Sequence, residues 1–290
     1  MHLIASPSDL LLGAHMSIAG GTPHAIDRAR KAGCTVVQIF VKNCNQWKAK
    51  PLPDEEVEDF RSRRAAARLV DAVAHACYLI NLASPEGELR RQSIDTLLEE
   101  LQRASRLGLS HLVVHPGSHG GDGEAIGVAR IAAALNEIHE RGERDARIAL
   151  EGTAGQGTSM GYRFEHLRDV LAGCRQPGRV AICLDTCHLF ASGHDFRDRE
   201  GYERMIGSFD RTVGLGKLGV LHVNDSKREL ASRVDRHEHI GKGCIGIDGF
   251  RWFLNDPRME EVPKILETPK GLTLRLDKHN LRVLRSLVAS

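Results

Sequence analysis

Six aliphatic runs of strand character, spread along most of the chain, each meet a histidine or a carboxylate at their C-terminal end. Ala72–Ala74 runs into His75, Leu112–Val114 into His115, Ile148–Leu150 into Glu151, and Val180–Leu184 into Asp185. Val220–Val223 carries His222 near its end, and Pro263–Leu266 runs into Glu267. Successive members of this series lie 34 to 45 positions apart, about one strand-plus-helix unit each. Two earlier runs, Leu10–Ala14 and Val36–Val41, bring the strands to eight. Segments of helical period separate them: Thr22–Ala32, Asp54–Leu69, Glu88–Leu107, Ala125–Arg141, Glu203–Thr212 and Arg275–Val288 are examples. Within Ser93–Leu107, the residues Ile94, Leu97, Leu98, Leu101 and Ala104 recur at steps of three and four, which is one face of a helix.

Strands alternating with helices build parallel βαβ units. Eight such units in 290 residues predict an α/β fold, a (β/α)8 TIM barrel, as a single domain over residues 1–290. An open doubly wound sheet would want a glycine-rich phosphate turn after its first strand. The stretch Gly13-Ala14-His15-Met16-Ser17-Ile18-Ala19-Gly20-Gly21 has glycines but neither the GxGxxG nor the GxxxxGK pattern. With 41% hydrophobic and 27% charged residues, the chain is not a disordered one. A net charge of +2 gives no global pull toward nucleic acid, so any such binding needs a local patch. Seven cysteines, an odd number without a CxxC pair, argue against a disulfide framework or a zinc ribbon, and the reducing cytoplasm is the expected compartment. Cys183 and Cys187 read as small buried residues. Residues 1–9 lack the pattern of a secretory signal, and no apolar run reaches the ~18 residues that a membrane span needs. Nothing marks an extended apolar interface, so a monomer is expected.

A closed parallel barrel points every strand C-terminus at one face, where residues distant in sequence converge. Taken singly, a histidine after a strand is usually a packing residue, and an acid there is usually a helix cap. Three imidazoles and three carboxylates converging together are different, because buried charge without a partner is very costly. Divalent cations remove that cost. Asp185-Thr186-Cys187-His188 adds His188 one turn beyond its strand, and Asp235-Arg236-His237 adds a pair in the long seventh loop. The candidate ligands are then His75, His115, Glu151, Asp185, His188, His222, Asp235, His237 and Glu267. Imidazole mixed with carboxylate suits Zn2+, Mn2+ or Fe2+ better than Mg2+. Nine ligands are too many for one ion and fit two or three. His15 and His119, also near strand ends, are candidates to support the ligands. His24, His111, His139, His166, His194 and His279 read as surface or packing residues.

Two or three ions at this spacing suit in-line displacement at phosphorus. With one or two ions, the same barrel face suits a sugar isomerase or epimerase. A metal-loaded nucleic-acid-binding protein without catalysis is a third reading. Lys42, Lys48 and Lys50 after the second strand, and Lys227, Arg228, Arg233, Arg236 and Lys242 after the seventh, add positive charge around that face. Trp47 and Tyr78 lie on neighbouring loops, where they can stack on bases, wedge into a duplex or pack beneath the loops.

The chain resembles the endonuclease IV family of zinc-dependent apurinic/apyrimidinic endonucleases. The resemblance rests on Gly13-Ala14-His15-Met16-Ser17 with Gly20-Gly21, His75 with Tyr78-Leu79-Ile80-Asn81-Leu82, and His115-Pro116-Gly117-Ser118. It continues through Glu151 with Thr153-Ala154-Gly155-Gln156-Gly157, Asp185-Thr186-Cys187-His188 with Gly193, and His222-Val223-Asn224-Asp225. Ser232-Arg233-Val234-Asp235-Arg236-His237 and Leu266-Glu267-Thr268 complete it, so that it covers nearly the whole chain. It implies three zinc ions per chain, with Mn2+ or Fe2+ at some positions. His75, His115 and Glu151 would hold one zinc, and Glu151 would bridge to a second on Asp185, His222 and Glu267. His188, Asp235 and His237 would hold the third. The implied reaction cleaves the phosphodiester 5′ to an abasic site in double-stranded DNA and leaves a 3′-hydroxyl. A bridging hydroxide would attack phosphorus, with Glu151 and Glu267 as the catalytic carboxylates and Glu267 orienting or deprotonating the nucleophile. Asn45, Trp47, Tyr78, Leu79 and Arg233 would meet the DNA. The chain departs from the family pattern at Gly152, where Asn is usual, and at Asn45, where Arg often precedes Gln-Trp.

Overall fold

The computed structural model describes residues 10–142 and 145–289. Residues 1–9, read above for targeting signals, lie outside the described residues. Eight parallel strands close into a barrel. They are β1 (Leu12–Met16), β2 (Val36–Phe40), β3 (Asp71–His75), β4 (His111–Val114), β5 (Arg147–Glu151), β6 (Val180–Asp185), β7 (Leu218–His222) and β10 (Lys264–Leu266). A short antiparallel pair, β8 (Asp225–Ser226) with β9 (His237–Glu238), sits in the long loop between β7 and β10. The helices are α1 (Pro23–Ala32), α2 (Asp54–Ala67), α3 (Gly87–Leu107), α4 (Glu124–Glu140), α5 (Phe164–Gly173), α6 (Thr186–Ala191), α7 (Arg199–Thr212), α8 (Ile247–Asn255) and α9 (Arg275–Arg285). The TIM barrel expected from the rhythm of the sequence is the fold observed. Among the described residues, no helix is long and apolar enough to cross a membrane.

Where the bounds differ from expectation, local chemistry explains the shift. β1 begins at Leu12 rather than Leu10, because its first pairing is Leu12 opposite Lys264 of β10. α7 begins four residues earlier than its apolar period suggests: the Asp198 side chain accepts the N–H of Gly201 at 2.7 Å and caps the helix there.

Two cores hold the barrel. The larger lies between strands and helices, where α3 contributes Ile94, Leu97, Leu101, Ala104 and Leu107. The smaller fills the inside with Val36, Val73, Val113, Ala149, Ala181, Cys183, Val220 and Ile265. Side chains alternate across a strand, so residues two apart share a face. Two positions beyond those inward apolar residues stand Gln38, His75, His115, Glu151, Asp185, His222 and Glu267. The polar ring is therefore the next layer on top of an apolar plug, at the C-terminal mouth.

His111 and His139 lie in the scaffold away from this mouth, and burial pushes the pKa of each down to about 4. Each is neutral in the folded chain at pH values where the unfolded chain takes up a proton. Their contribution to stability is complete above about pH 6.5 and is lost as pH falls toward 4, at no more than about 1.4 kcal/mol per pH unit for each. His139→Leu should narrow the stability difference between neutral and pH 4.5 relative to the parent chain, measured by urea unfolding at both pH values. Equal differences in the two proteins would remove His139 from this role.

Candidate metal centre

The mouth of the barrel gathers all nine candidate ligands. Glu151, fully buried at the end of β5, lies between two groups. Its Oε2 is 3.2 Å from His75 Nε2 and 3.0 Å from His115 Nε2. Its Oε1 is 3.0 Å from His222 Nδ1. His222 Nδ1 also lies 3.3 Å from Glu267 Oε2 and 3.8 Å from Asp185 Oδ2. Asp185 Oδ2 is 3.5 Å from His237 Nε2. Asp235 completes the outer edge, 3.1 Å from His188 Nε2 and 3.4 Å from His237 Nε2. Among the described residues, beside two groups that include Cys183 or Cys187, three overlapping groups of imidazole and carboxylate donors result: His75, His115 and Glu151; Glu151, Asp185, His222 and Glu267; and Asp185, His188 and His237. Asp185 thus joins the second group to the third, as Glu151 joins the first to the second.

The local fold aims each ring. His75 Nδ1 donates to the Ala76 carbonyl at 2.7 Å, and His188 Nδ1 donates to that of Gly152 at 2.8 Å. His237 Nδ1 donates to the Glu267 carbonyl at 3.2 Å, and His222 Nε2 to Gln38 Oε1 at 2.8 Å. In each ring the other nitrogen faces the carboxylates of the cluster, placed to bind a metal when the ring is neutral. Asp185 caps α6 by accepting the His188 N–H at 3.0 Å, which sets His188 one turn above its strand. The long loop carrying Asp235 and His237 is tied by buried Asp225, whose carboxylate accepts the N–H groups of Ser226, Gly241, Gly243 and Ile245. Gly243 is required there, since a Cβ would fall 2.3 Å from the Ser226 carbonyl oxygen.

A metal fits these residues. The Nε2 atoms of His188 and His237 are buried without a hydrogen-bond partner, on the sides that face the carboxylates. Burial opposes ionisation of Glu151, yet the His115 and His222 imidazoles hold its carboxyl well below the usual range. Burial likewise opposes charge on His188, but Asp185 and Asp235 raise its pKa well above that of an ordinary histidine. Without cations the cluster draws in protons, so protons and metal ions compete for it. Cys183 and Cys187 lie close to the donors, but burial pushes both thiols up to about 12.

The two supporting candidates divide. His15 joins the site, with Nδ1 2.9 Å from Gln38 Nε2 and 3.4 Å from Glu267 Oε1. His119 instead accepts the N–H groups of Gly121 and Gly123 at the start of α4. Sequence reasoning misses Gln38. This fully buried amide accepts from His222 and donates to Glu267 Oε1 at 2.5 Å. Its one signal is a polar residue in the middle of the aliphatic run Val36–Val41. Asn224 is visible only as part of a motif; it donates to Asp185 Oδ2 at 2.6 Å and accepts the Glu267 N–H at 2.7 Å.

A cleft of about 650 Å3 opens beside the cluster, with His115, His188 and Asp235 on its floor and Tyr78, Ser118, Gln156 and Thr158 among its walls. Gly117 lets the β4 loop close against the β3 loop here, at φ +102° and where a Cβ would fall 2.1 Å from Asn81 Oδ1. Tyr78 is 61% exposed and sets its ring against His75 and His115. Asn45 is exposed, whereas Trp47 and Leu79 are half-buried against the core. Arg233 is exposed, with its guanidinium 4.8 Å from the centre of the Tyr162 ring. Lys42 does not join the basic rim: it is buried in an ion pair with Glu100 at 3.3 Å. Its chain position suggests a solvent-facing cation, but α3 covers that side of the loop.

Comparison with known proteins gives a consistent picture. The model of the xylose isomerase-like TIM barrel family matches residues 26–287. A protein of Geobacter sp. (strain M21) described as probable endonuclease 4 is 48% identical over 279 residues, covering 96% of this chain and 99% of its own. A relative of the same description from Geobacter sulfurreducens is 51% identical over 278 residues, covering 96% and 94%. The crystal structure of endonuclease IV from Thermus thermophilus is similar with a TM-score of 0.84 at 40% identity, covering 95% of this chain and 98% of that one. The structure of 3-keto-D-glucoside 4-epimerase from E. coli shares the fold, with a TM-score of 0.66 at 12% identity over 96% of this chain and 99% of that one.

If Gln38 fixes His222 and Glu267 as described, Gln38→Leu should weaken the second ion's binding by about 10- to 100-fold. Competition with a chelator, followed by metal analysis, measures this. Loss of one ion class ahead of the others is the expected outcome, and release identical to the parent's would exclude the assignment.

Proposed function

The chain belongs to the endonuclease IV family, and from that premise we propose that it is a DNA-repair endonuclease acting at abasic sites in double-stranded DNA. We propose further that it hydrolyses the phosphodiester 5′ to the lesion, as a cytoplasmic monomer. The observation that carries this reading is the chain of three donor groups sharing Glu151 and Asp185 beside an open cleft. Three Zn2+ ions suit these donors, and Mn2+ or Fe2+ suit the same atoms. His75, His115 and Glu151 would hold the first, and Glu151, Asp185, His222 and Glu267 the second. His188, Asp235 and His237 would hold the third, with Asp185 beside them. Ions held there would supply Lewis-acid stabilisation of phosphoryl oxygens and a water acidified toward neutral pKa.

The remaining work falls to side chains. Glu267 receives the Gln38 N–H on Oε1 and turns Oε2 toward the donor cluster. From there it would orient the attacking water and accept its proton. Water oxygen would join phosphorus as the P–O3′ bond breaks, and O3′ would leave as a hydroxyl by taking up the proton that Glu267 received from the water, with the phosphate remaining on the abasic side. Glu151 would hold the first two ions at a fixed separation. Tyr78 and Trp47, with Asn45 and Leu79, would enter or stack on the distorted duplex, and Arg233 would contact phosphate. A sugar isomerase needs fewer ions and leaves Asp235 and His237 without a role. The likeness to an epimerase at 12% identity concerns the fold alone.

A duplex containing one abasic analogue, incubated beside an intact duplex, tests the reading. A single nick 5′ to the lesion, with about three zinc ions per chain, is expected; no nick under multiple turnover would end it. Glu267→Gln should lower kcat by at least about 100-fold, and near-normal turnover would remove its role. Arg233→Ala should weaken duplex binding and reduce the dependence of log Kd on log salt by about one. An unchanged slope would return this arginine to an ordinary solvated surface.

A further inference from the structure

Lys42 and Glu100 form an ion pair in the wall of the barrel, with side chains only 2% and 1% exposed. Burying such a pair is seldom a net gain in stability, because desolvation offsets the attraction. Its hydrogen bonds suggest what it does instead. The Lys42 ammonium donates to the Gln46 and Trp47 carbonyls, the latter at 3.3 Å, and so folds the loop after β2 back on itself. The Glu100 carboxylate accepts the Cys77 N–H at 3.1 Å, one residue before Tyr78 in the loop after β3. Glu100 stands on α3, and the same helix face holds the far end of the β2 loop. Arg103 donates to the Val41 and Lys50 carbonyls, and Arg106 donates to the Leu52 carbonyl at 2.8 Å. The two rim loops are thus joined by one buried charge pair.

We propose that Lys42 and Glu100 are positioning residues that lock the Trp47 loop and the Tyr78 loop into one rigid rim, so that an abasic duplex is met by both at a fixed spacing. This rests on the reading of that rim as a duplex-contacting surface. A preorganised rim spares the ordering entropy that two loose loops would lose on binding, and it favours the one DNA geometry that fits both loops. Intact duplex, which resists the distortion, gains less from it. The pair therefore acts on discrimination rather than on stability.

The test uses the double substitution Lys42→Met with Glu100→Gln in the metal-loaded protein. This double variant removes both buried charges, while the amide oxygen introduced on α3 can still accept the Cys77 N–H. Lys42→Met alone leaves a lone buried carboxylate and serves only as a control for misfolding. The double variant should keep its metal content and a Tm within about 4 °C of the parent. Amide exchange across residues 43–48 should quicken while the barrel strands stay protected. The preference for an abasic-analogue duplex over intact duplex should fall by about tenfold or more, through KM rather than kcat. Unchanged loop exchange and an unchanged preference would overturn the proposal, as would a double variant that unfolds, since the pair would then be a stability element. A parent protein with no preference for the abasic duplex would overturn the duplex reading and this proposal together. A parent with a preference that the variant matches would overturn this proposal alone.

Discussion

A barrel mouth lined with four carboxylates and five imidazoles is the constraint that organises this molecule. Asp185, Glu151 and His222 are fully buried, so their electrostatics cannot be settled by water. Either protons or cations must balance the carboxylates, and the raised pKa of His188 beside the depressed one of Glu151 records that demand. The hydrogen bonds around the ring set the rings for that balance. Each bond to a carbonyl or amide engages one ring nitrogen and turns the other toward the centre.

Much of this is legible in the chain because the barrel converts a period of two into depth. An apolar residue followed two positions later by His, Asp or Glu recurs at Val73-x-His75, Val113-x-His115, Ala149-x-Glu151, Cys183-x-Asp185, Val220-x-His222 and Ile265-x-Glu267. The first member plugs the barrel and the second rims it. Gln38 obeys the same rule above Val36, yet an amide carries no charge and draws no attention in a strand. His119 looks equivalent to His15 by position, but its ring turns to the backbone at the start of α4. Which way a loop side chain faces depends on contacts that sequence spacing does not encode. Lys42 is the clearest case: its covering partner, Glu100, is 58 positions away on α3.

The rim and the donor cluster are built on different principles. Most of the cluster stands at barrel strand ends, where backbone ladders fix each Cα, while His188 stands on α6 and Asp235 and His237 in the long loop. The rim stands on loops that borrow rigidity from side chains: Lys42, Arg103 and Arg106 reach to carbonyls on one side, and on the other Asp225 accepts four N–H groups beside the short β8–β9 ladder.

Gly152 carries no side chain, yet His188 finds its partner there, because that partner is the main-chain oxygen of residue 152. The same is true of Ala76 for His75 and of Glu267 for His237. A Cβ at Gly152 would meet its neighbours at 3.6 Å or more, which is ordinary contact. Orienting rings through peptide oxygens makes the tautomers immune to sequence drift beside them: the group doing the aiming is one that no substitution can delete.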